Sequence, residues 1–151
     1  MQVREAYIED ADAACFVIRR SITELCHLDH KGDAPTLALW LANKTAVRRW
    51  IDQNHVFVAT ETGVVVGVGA IRNSGEIMLN YVSPDFRFRG IRKALVTRLE
   101  ARASELAVEV VTLVSSETAR QFYLAAGYRE NGSPTKGFGM TLAQPMKKQI
   151  A

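Results

Sequence analysis

Apolar positions change period several times along the chain, and each change marks an element. Val3-Arg-Glu-Ala-Tyr7 opens as a short strand. Asp10 or Asp12 can then cap a helix that reaches about His27, with Phe16, Ile22 and Leu25 among its apolar positions. Gly32 and Asp33 break that helix, Pro35 can begin a second one carrying Leu37, Leu39, Trp40 and Leu41, and Val47-Arg-Arg-Trp-Ile51 adds another turn or two. Val56 to Thr60 and Val64 to Arg72 read as strands joined by Glu61-Thr-Gly63, and Asn73-Ser-Gly75 turns the chain into a third strand, Ile77 to Val82.

From residue 90 the period lengthens from two to nearly four. Ile91, Leu95, Leu99, Ala103 and Leu106 line one face, which predicts a helix over residues 90–107 buried against the sheet. Val108 to Val114 is apolar and β-branched enough for an internal strand, set parallel to the strand before the helix by a right-handed crossover. Thr118 to Ala126 predicts a further helix stopped at Gly127, and Tyr128 to Glu130 and Phe138 to Leu142 predict the last strands. The sum is an α/β fold with a mixed, mostly antiparallel central sheet flanked by helices, in one domain over residues 1–151.

Composition narrows the class without choosing within it. A chain of 151 residues with 48% apolar content supports one sizeable core and is too short for two. No apolar run approaches the roughly 20 residues that span a bilayer, so no membrane partner is expected. Glu5, Glu9, Asp10 and Asp12 precede any long apolar stretch, which does not read as a signal peptide, and the expected location is the cytoplasm. Cys15 and Cys26 share a predicted helix about three turns apart, roughly 16 Å, which is too far for a mutual disulfide.

The net charge of +3 is modest, but its distribution is informative. Arg87, Arg89, Arg92, Lys93, Arg98 and Arg102 give the central segment a positive field suited to an anionic ligand, whereas Lys147 and Lys148 read as decoration of the tail. The run Asn80-Tyr-Val-Ser-Pro-Asp-Phe-Arg-Phe-Arg-Gly-Ile-Arg-Lys-Ala-Leu95 passes from an apolar strand through a proline and a basic loop into a helix. The first N–H groups of a helix lack intrahelical partners, so a turn that aims them at a ligand can hold a phosphate without a metal. No metal site is expected: His27-Leu-Asp-His30 spreads its ligands around a helix and no third cluster follows. Gly67-Val-Gly-Ala70 lies inside an apolar strand, where close packing or a bulge explains it better than a nucleotide loop.

Val82-Ser-Pro84, Arg87-Phe-Arg-Gly-Ile-Arg92 with Lys93-Ala-Leu95, and Ala119-Arg-Gln-Phe-Tyr-Leu-Ala-Ala-Gly-Tyr128 some thirty residues later together resemble the GCN5-related N-acetyltransferase (GNAT) family. The acetyl-coenzyme A signature of that family is Arg/Gln-x-x-Gly-x-Gly/Ala. The motif resemblance covers about residues 76–130, and the element order extends it to nearly the whole chain. It implies an acyl-coenzyme A N-acyltransferase fold and acetyl transfer from acetyl-coenzyme A to a small-molecule or peptide amine by direct attack, with a homodimer as one possible assembly. Arg87 and Gly90 match the first and fourth signature positions, and the turn of Arg87, Phe88, Arg89, Gly90, Ile91, Arg92 and Lys93 is expected to receive the pyrophosphate. Arg92 departs from the signature, so its side chain must point away from the phosphates or reach round to pair with them. A side chain at Gly90 is expected to crowd the turn. Ser116 stands where many relatives have an asparagine that contacts the cofactor, and the main chain of Tyr81 and Val82 is expected to meet the pantetheine amides.

Tyr123 matches the tyrosine that relatives use as general acid toward the leaving thiolate, and its surroundings also suit a packing role. The base is chosen less clearly. Glu76, Glu24, His27, His30 and Glu61 are candidates, with Glu76 carried forward as a catalytic residue because it opens the strand leading to Val82. Two other classes compete: an acyl-coenzyme A-binding regulatory or interaction domain of the same fold without transfer chemistry, and nucleic-acid binding through the Arg/Lys segment, which would weaken steeply with salt. No nucleic-acid partner is expected on the preferred reading.

Overall fold

A computed structural model describes residues 1–24, 43–137 and 140–151. In chain order these form β1 (Gln2–Glu5), α1 (Ala11–Glu24), α2 (Lys44–Gln53), β2 (His55–Glu61), β3 (Val64–Ile71), β4 (Glu76–Val82), α3 (Ile91–Glu105), β5 (Val110–Ser116), α4 (Arg120–Ala125), β6 (Arg129–Glu130), β7 (Thr135–Gly137) and β8 (Met140–Gln149). The strands make one sheet in the order β1-β2-β3-β4-β5-β8-β6, with β7 also paired to β8. Among the described strands only β4 and β5 run parallel, and α3 is the crossover between them. The mixed, mostly antiparallel α/β sheet is therefore as the periodicity predicts.

The two faces of the sheet carry separate cores. On one, Ala14, Ile18 and Ile22 of α1 and Val47 of α2 pack with Val58, Val68 and Leu79. On the other, Ile91, Leu95 and Leu99 of α3 pack with Phe57, Val66, Val111 and Met146, and Tyr123 and Tyr128 complete the layer. Gly67 and Gly69 let α3 approach: an added Cβ would stand 2.8 Å from Ile91 Cγ2 at Gly67 and 3.2 Å from Leu99 Cδ1 at Gly69. Close packing explains these glycines.

Several boundaries differ from the sequence reading. Asp10 sits in a single 3-10 turn and accepts the Tyr7 N–H (2.7 Å), held there by Arg4 (2.8 Å), so it reaches backward instead of capping α1. The crossover helix ends at Glu105, and β5 starts only at Val110 because Ala107 takes a left-handed turn with φ 59°. The last strand, expected to end at Leu142, runs as β8 from Met140 through Lys147 and Lys148 to Gln149, and Phe138 lies outside the described residues. Pro145 lies inside it and hides it from the eye, since proline usually ends a strand. Its carbonyl still accepts the Asn131 N–H at 2.8 Å. Lys148 consequently joins Glu100 of α3 (3.1 Å) and is no tail decoration. The helix expected from Pro35, the end of the first helix, Cys26 and the His27 to His30 spacing lie outside the described residues.

Candidate functional site

The site begins where two strands part. Parallel pairing of β4 with β5 is confined to Glu76 with Thr112 and Ile77 with Leu113, after which the strands diverge. The wedge between them is a cavity of about 240 Å³ whose walls include Asn80, Tyr81, Arg92, Ser116 and Tyr123. Beyond Ile77, among the described residues, β4 and β5 are no longer paired with each other. Such an edge can add a ligand's amides as if they were another strand.

A bulge decides which side chains face the wedge. The register with β3 passes from Leu79 opposite Ala70 to Ile77 opposite Ile71, leaving Met78 as the extra residue. A bulge reverses the facing of everything after it. Ile77 and Val82 accordingly belong to the α3 face although they stand an odd five positions apart, while Leu79 and Tyr81 pack toward α1. Asn80 is thereby turned toward α4, where its Nδ2 donates to Tyr123 Oη at 3.0 Å. Asn80 is 9% exposed, and its Oδ1 is buried with no hydrogen-bond partner.

Tyr123 serves packing and chemistry at once. Its ring meets Phe122 and Tyr128 edge-on, with centroids 5.1 and 5.6 Å away, and the residue is 6% exposed. The residue nevertheless lines the wedge. Burial pushes the phenol above its ordinary value, and the Arg92 charge and the Asn80 hydrogen bond oppose that rise only in part. A phenol so placed is protonated at neutral pH and can act as a donor.

The basic turn follows β4 directly. Gly90 is the N-cap of α3 with φ 77°, and Phe88, 92% exposed, has φ 65°. Two left-handed residues in three force the chain to turn sharply into the helix. A Cβ on Gly90 would meet nothing within 4 Å, so the turn needs glycine for its backbone angle, and crowding is not the reason. Arg87 lies over Phe88 (4.9 Å), Arg89 over Phe86 (5.1 Å) and Arg92 over Phe122 (5.6 Å). Among the described residues, none of these arginines nor Lys93 holds an acidic partner. Val82 and Ile91 are buried at 4% and 1%, which leaves only their main chain for a ligand. The departure at Arg92 resolves into a half-buried side chain turned into the wedge beside Tyr123.

Ser116 ends β5 at the wedge, and its Oγ accepts the Ala119 N–H at 3.3 Å where the chain turns toward α4. The base candidates separate clearly. Glu76 lies on the wedge wall and pairs with Arg72 at 2.9 Å. Glu24 is held by Arg20 (2.6 Å), which also grips Asp85 of the basic turn (2.7 Å) and keeps that carboxyl below its usual range. Glu61 pairs with the N-terminal amine at 3.4 Å, away from the wedge. His27 and His30 lie outside the described residues. Sequence reasoning passed over Asn80 and the Arg20 clamp on the turn; a lone amide within Ile77-Met-Leu-Asn-Tyr-Val82 was the available signal for Asn80.

A family model described as an acetyltransferase (GNAT) domain matches residues 30–150. Among solved structures, a GCN5-related N-acetyltransferase from Rhodopseudomonas palustris is similar at 23% identity with a TM-score of 0.87, covering 99% of this chain and 95% of that one. The PaiA N-acetyltransferase from Thermoplasma acidophilum, solved with coenzyme A, is similar at 17% identity and a TM-score of 0.85 over 99% and 98% of the two chains. A ribosomal-protein-alanine N-acetyltransferase from Brucella melitensis is similar at 22% identity and 0.70, over 99% and 100%. We found no curated protein whose sequence matches.

Proposed function

This chain belongs to the GNAT acetyltransferase family, and from that premise we propose that it transfers the acetyl group of acetyl-coenzyme A to a primary amine by direct attack. The observation that carries the reading is the β4–β5 wedge, whose cavity is lined by a buried phenol, by the strand β4 where it diverges from β5, and by Arg92 from the start of α3. Each part of the cofactor has a counterpart. The first N–H groups of α3, with Arg87, Arg89, Arg92 and Lys93, would hold the phosphates. The main chain of Tyr81 and Val82, where β4 diverges from β5, would take the pantetheine amides, and Ser116 would line the opposite wall. The orphaned oxygen of Asn80 fits a ligand that brings an N–H.

When bound, acetyl-coenzyme A supplies an acetyl group activated as a thioester. Tyr123 Oη holds a proton that burial keeps in place at neutral pH, and it gives that proton to the sulfur as charge develops there. Backbone N–H near Val82 polarises the acetyl carbonyl. Glu76, on the same wedge, takes the proton that an ammonium acceptor must lose, with Arg72 holding its carboxylate in place. The acceptor is a small-molecule or peptide amine, and the name of the Brucella relative illustrates the second class.

Calorimetric titration with acetyl-coenzyme A, followed by a screen of amines for thiol release, tests this. One saturable site per chain and amine-dependent thiol release are expected. Absence of both overturns the reading, and binding without release from any amine favours a domain that has kept the ligand and lost the transfer. In a responsive assay, Tyr123→Phe should lower kcat by about 10²- to 10³-fold with cofactor affinity within a factor of three; a parallel loss of affinity and stability would assign the ring to packing alone.

A further inference from the structure

The Asn80 carboxamide is a polar group placed where apolar packing would have been simpler. It is 9% exposed, yet one of its two polar atoms has no partner. Native interiors rarely leave such an atom unpaired without a reason, because its desolvation is not repaid. Orientation is the first clue. Nδ2 donates to Tyr123 Oη at 3.0 Å, so the phenol oxygen is an acceptor here and its own proton has no protein acceptor among the described residues. The reverse orientation would consume that proton and strand both amide hydrogens. The second clue is position: Oδ1 belongs to a residue of the wedge wall, and only the bulge at Met78 brings it there.

We propose that Asn80 is a positioning residue for acyl transfer: its nitrogen fixes the Tyr123 phenol with its proton directed into the wedge, and its oxygen takes an N–H of the molecule bound there. The inference rests on the acetyl-transfer reading above. The N–H has two sources of the same chemistry, a pantetheine amide or the acceptor amine. Around the phenol the other titratable or charged groups are Arg92 on α3 and Tyr128 beyond α4, with Arg72 and Glu76 at the closed end of the wedge.

Asn80→Asp and Asn80→Leu test both halves. Aspartate keeps the shape but, when ionised, accepts the phenol proton instead of leaving it for the sulfur. Asn80→Asp should lose tenfold or more in kcat at neutral pH and regain activity relative to the parent as the pH falls and the new carboxyl protonates. A purely structural role gives no such recovery. The ¹³Cζ resonance of Tyr123 should titrate at higher pH in both variants, and this readout needs no turnover and remains available if Asn80→Leu folds poorly. A raised Kd for acetyl-coenzyme A in Asn80→Leu, with Asn80→Asp keeping the acceptor oxygen and the affinity, identifies the cofactor amide as the donor to Oδ1, and a raised KM for the amine at unchanged Kd in Asn80→Leu identifies the acceptor. If neither constant moves threefold, the role of the oxygen is refuted. If Asn80→Asp keeps its rate at all pH values, or the Tyr123 resonance is indifferent to both variants, the role of the nitrogen is refuted. A parent chain that neither binds acetyl-coenzyme A nor releases thiol refutes the acetyl-transfer reading itself, whatever the variants do.

Discussion

The two ends of α3 carry the same kind of side chain and use it in opposite ways. At the start, Arg92 and Lys93, with Arg87 and Arg89 of the preceding turn, rest over aromatic rings or in solvent without an acidic partner among the described residues. Toward the other end, Arg98 and Arg102 both pair with Glu105, and Arg102 also pairs with Glu5. Both guanidinium groups cover Phe57, at 4.5 and 5.0 Å, and Arg102 donates to His55 Nδ1 at 2.8 Å. A cation that has spent its hydrogen bonds on neighbours adds structure, and one that has not can still meet an anion. The six cations read together as one field along the sequence thus divide into four left open to an anion and two committed to structure.

Breaking the first group at its backbone should have the largest effect. Gly90→Val forces a β-branched residue to φ 77°, and cofactor affinity should fall by about ten- to a hundredfold, through roughly 1–3 kcal/mol of backbone strain. Calorimetry checks it; unchanged affinity would remove the turn from the site. Next comes the structural group. Arg102→Ala should lower stability by about 1–2 kcal/mol in urea unfolding, mostly through lost packing on Phe57 and lost hydrogen bonds, with acetyl-coenzyme A affinity unchanged. A loss of affinity there would erase the distinction between the ends. Arg92→Gly should do the reverse, weakening binding several-fold with a shallower salt dependence at nearly constant stability. Tighter binding would mark Arg92 as an obstruction in the wedge.

The smallest effect concerns protons. Arg102 holds the Glu5 carboxyl below its ordinary value, first by a hydrogen bond and then by charge. A carboxyl depressed in the folded state stabilises above its unfolded value and loses that contribution as the pH falls through the folded one. Glu5 is 60% exposed, so Glu5→Gln should cost at most a few tenths of a kcal/mol, about the worth of a screened surface pair. The difference from the parent should close as the pH falls below about 4, the unfolded range. A difference that persists in acid would mean that the pair acts through packing.

Much of this was legible in the residues themselves. The stripe of Ile91, Leu95 and Leu99 at four-residue spacing announces α3, the proline and basic turn announce its entry, and Tyr123 is singled out by the resemblance of residues 119–128 to the acetyltransferase motif. Each is a local signal, because helical periodicity and turn chemistry depend on residues a few places apart. What stayed hidden depends on partners far away in the chain. Pro145 argues against a strand until the carbonyl it presents to Asn131 is seen, and Glu76 is separated from the other base candidates only by who lines the wedge. The sequence by itself determined the order of elements and the basic turn that leads into α3. Tertiary structure alone decided that one extra residue in β4 turns Asn80 onto a phenol 43 positions later, and which arginines remain unpaired, since strand register and ion pairing are settled between segments and not within them.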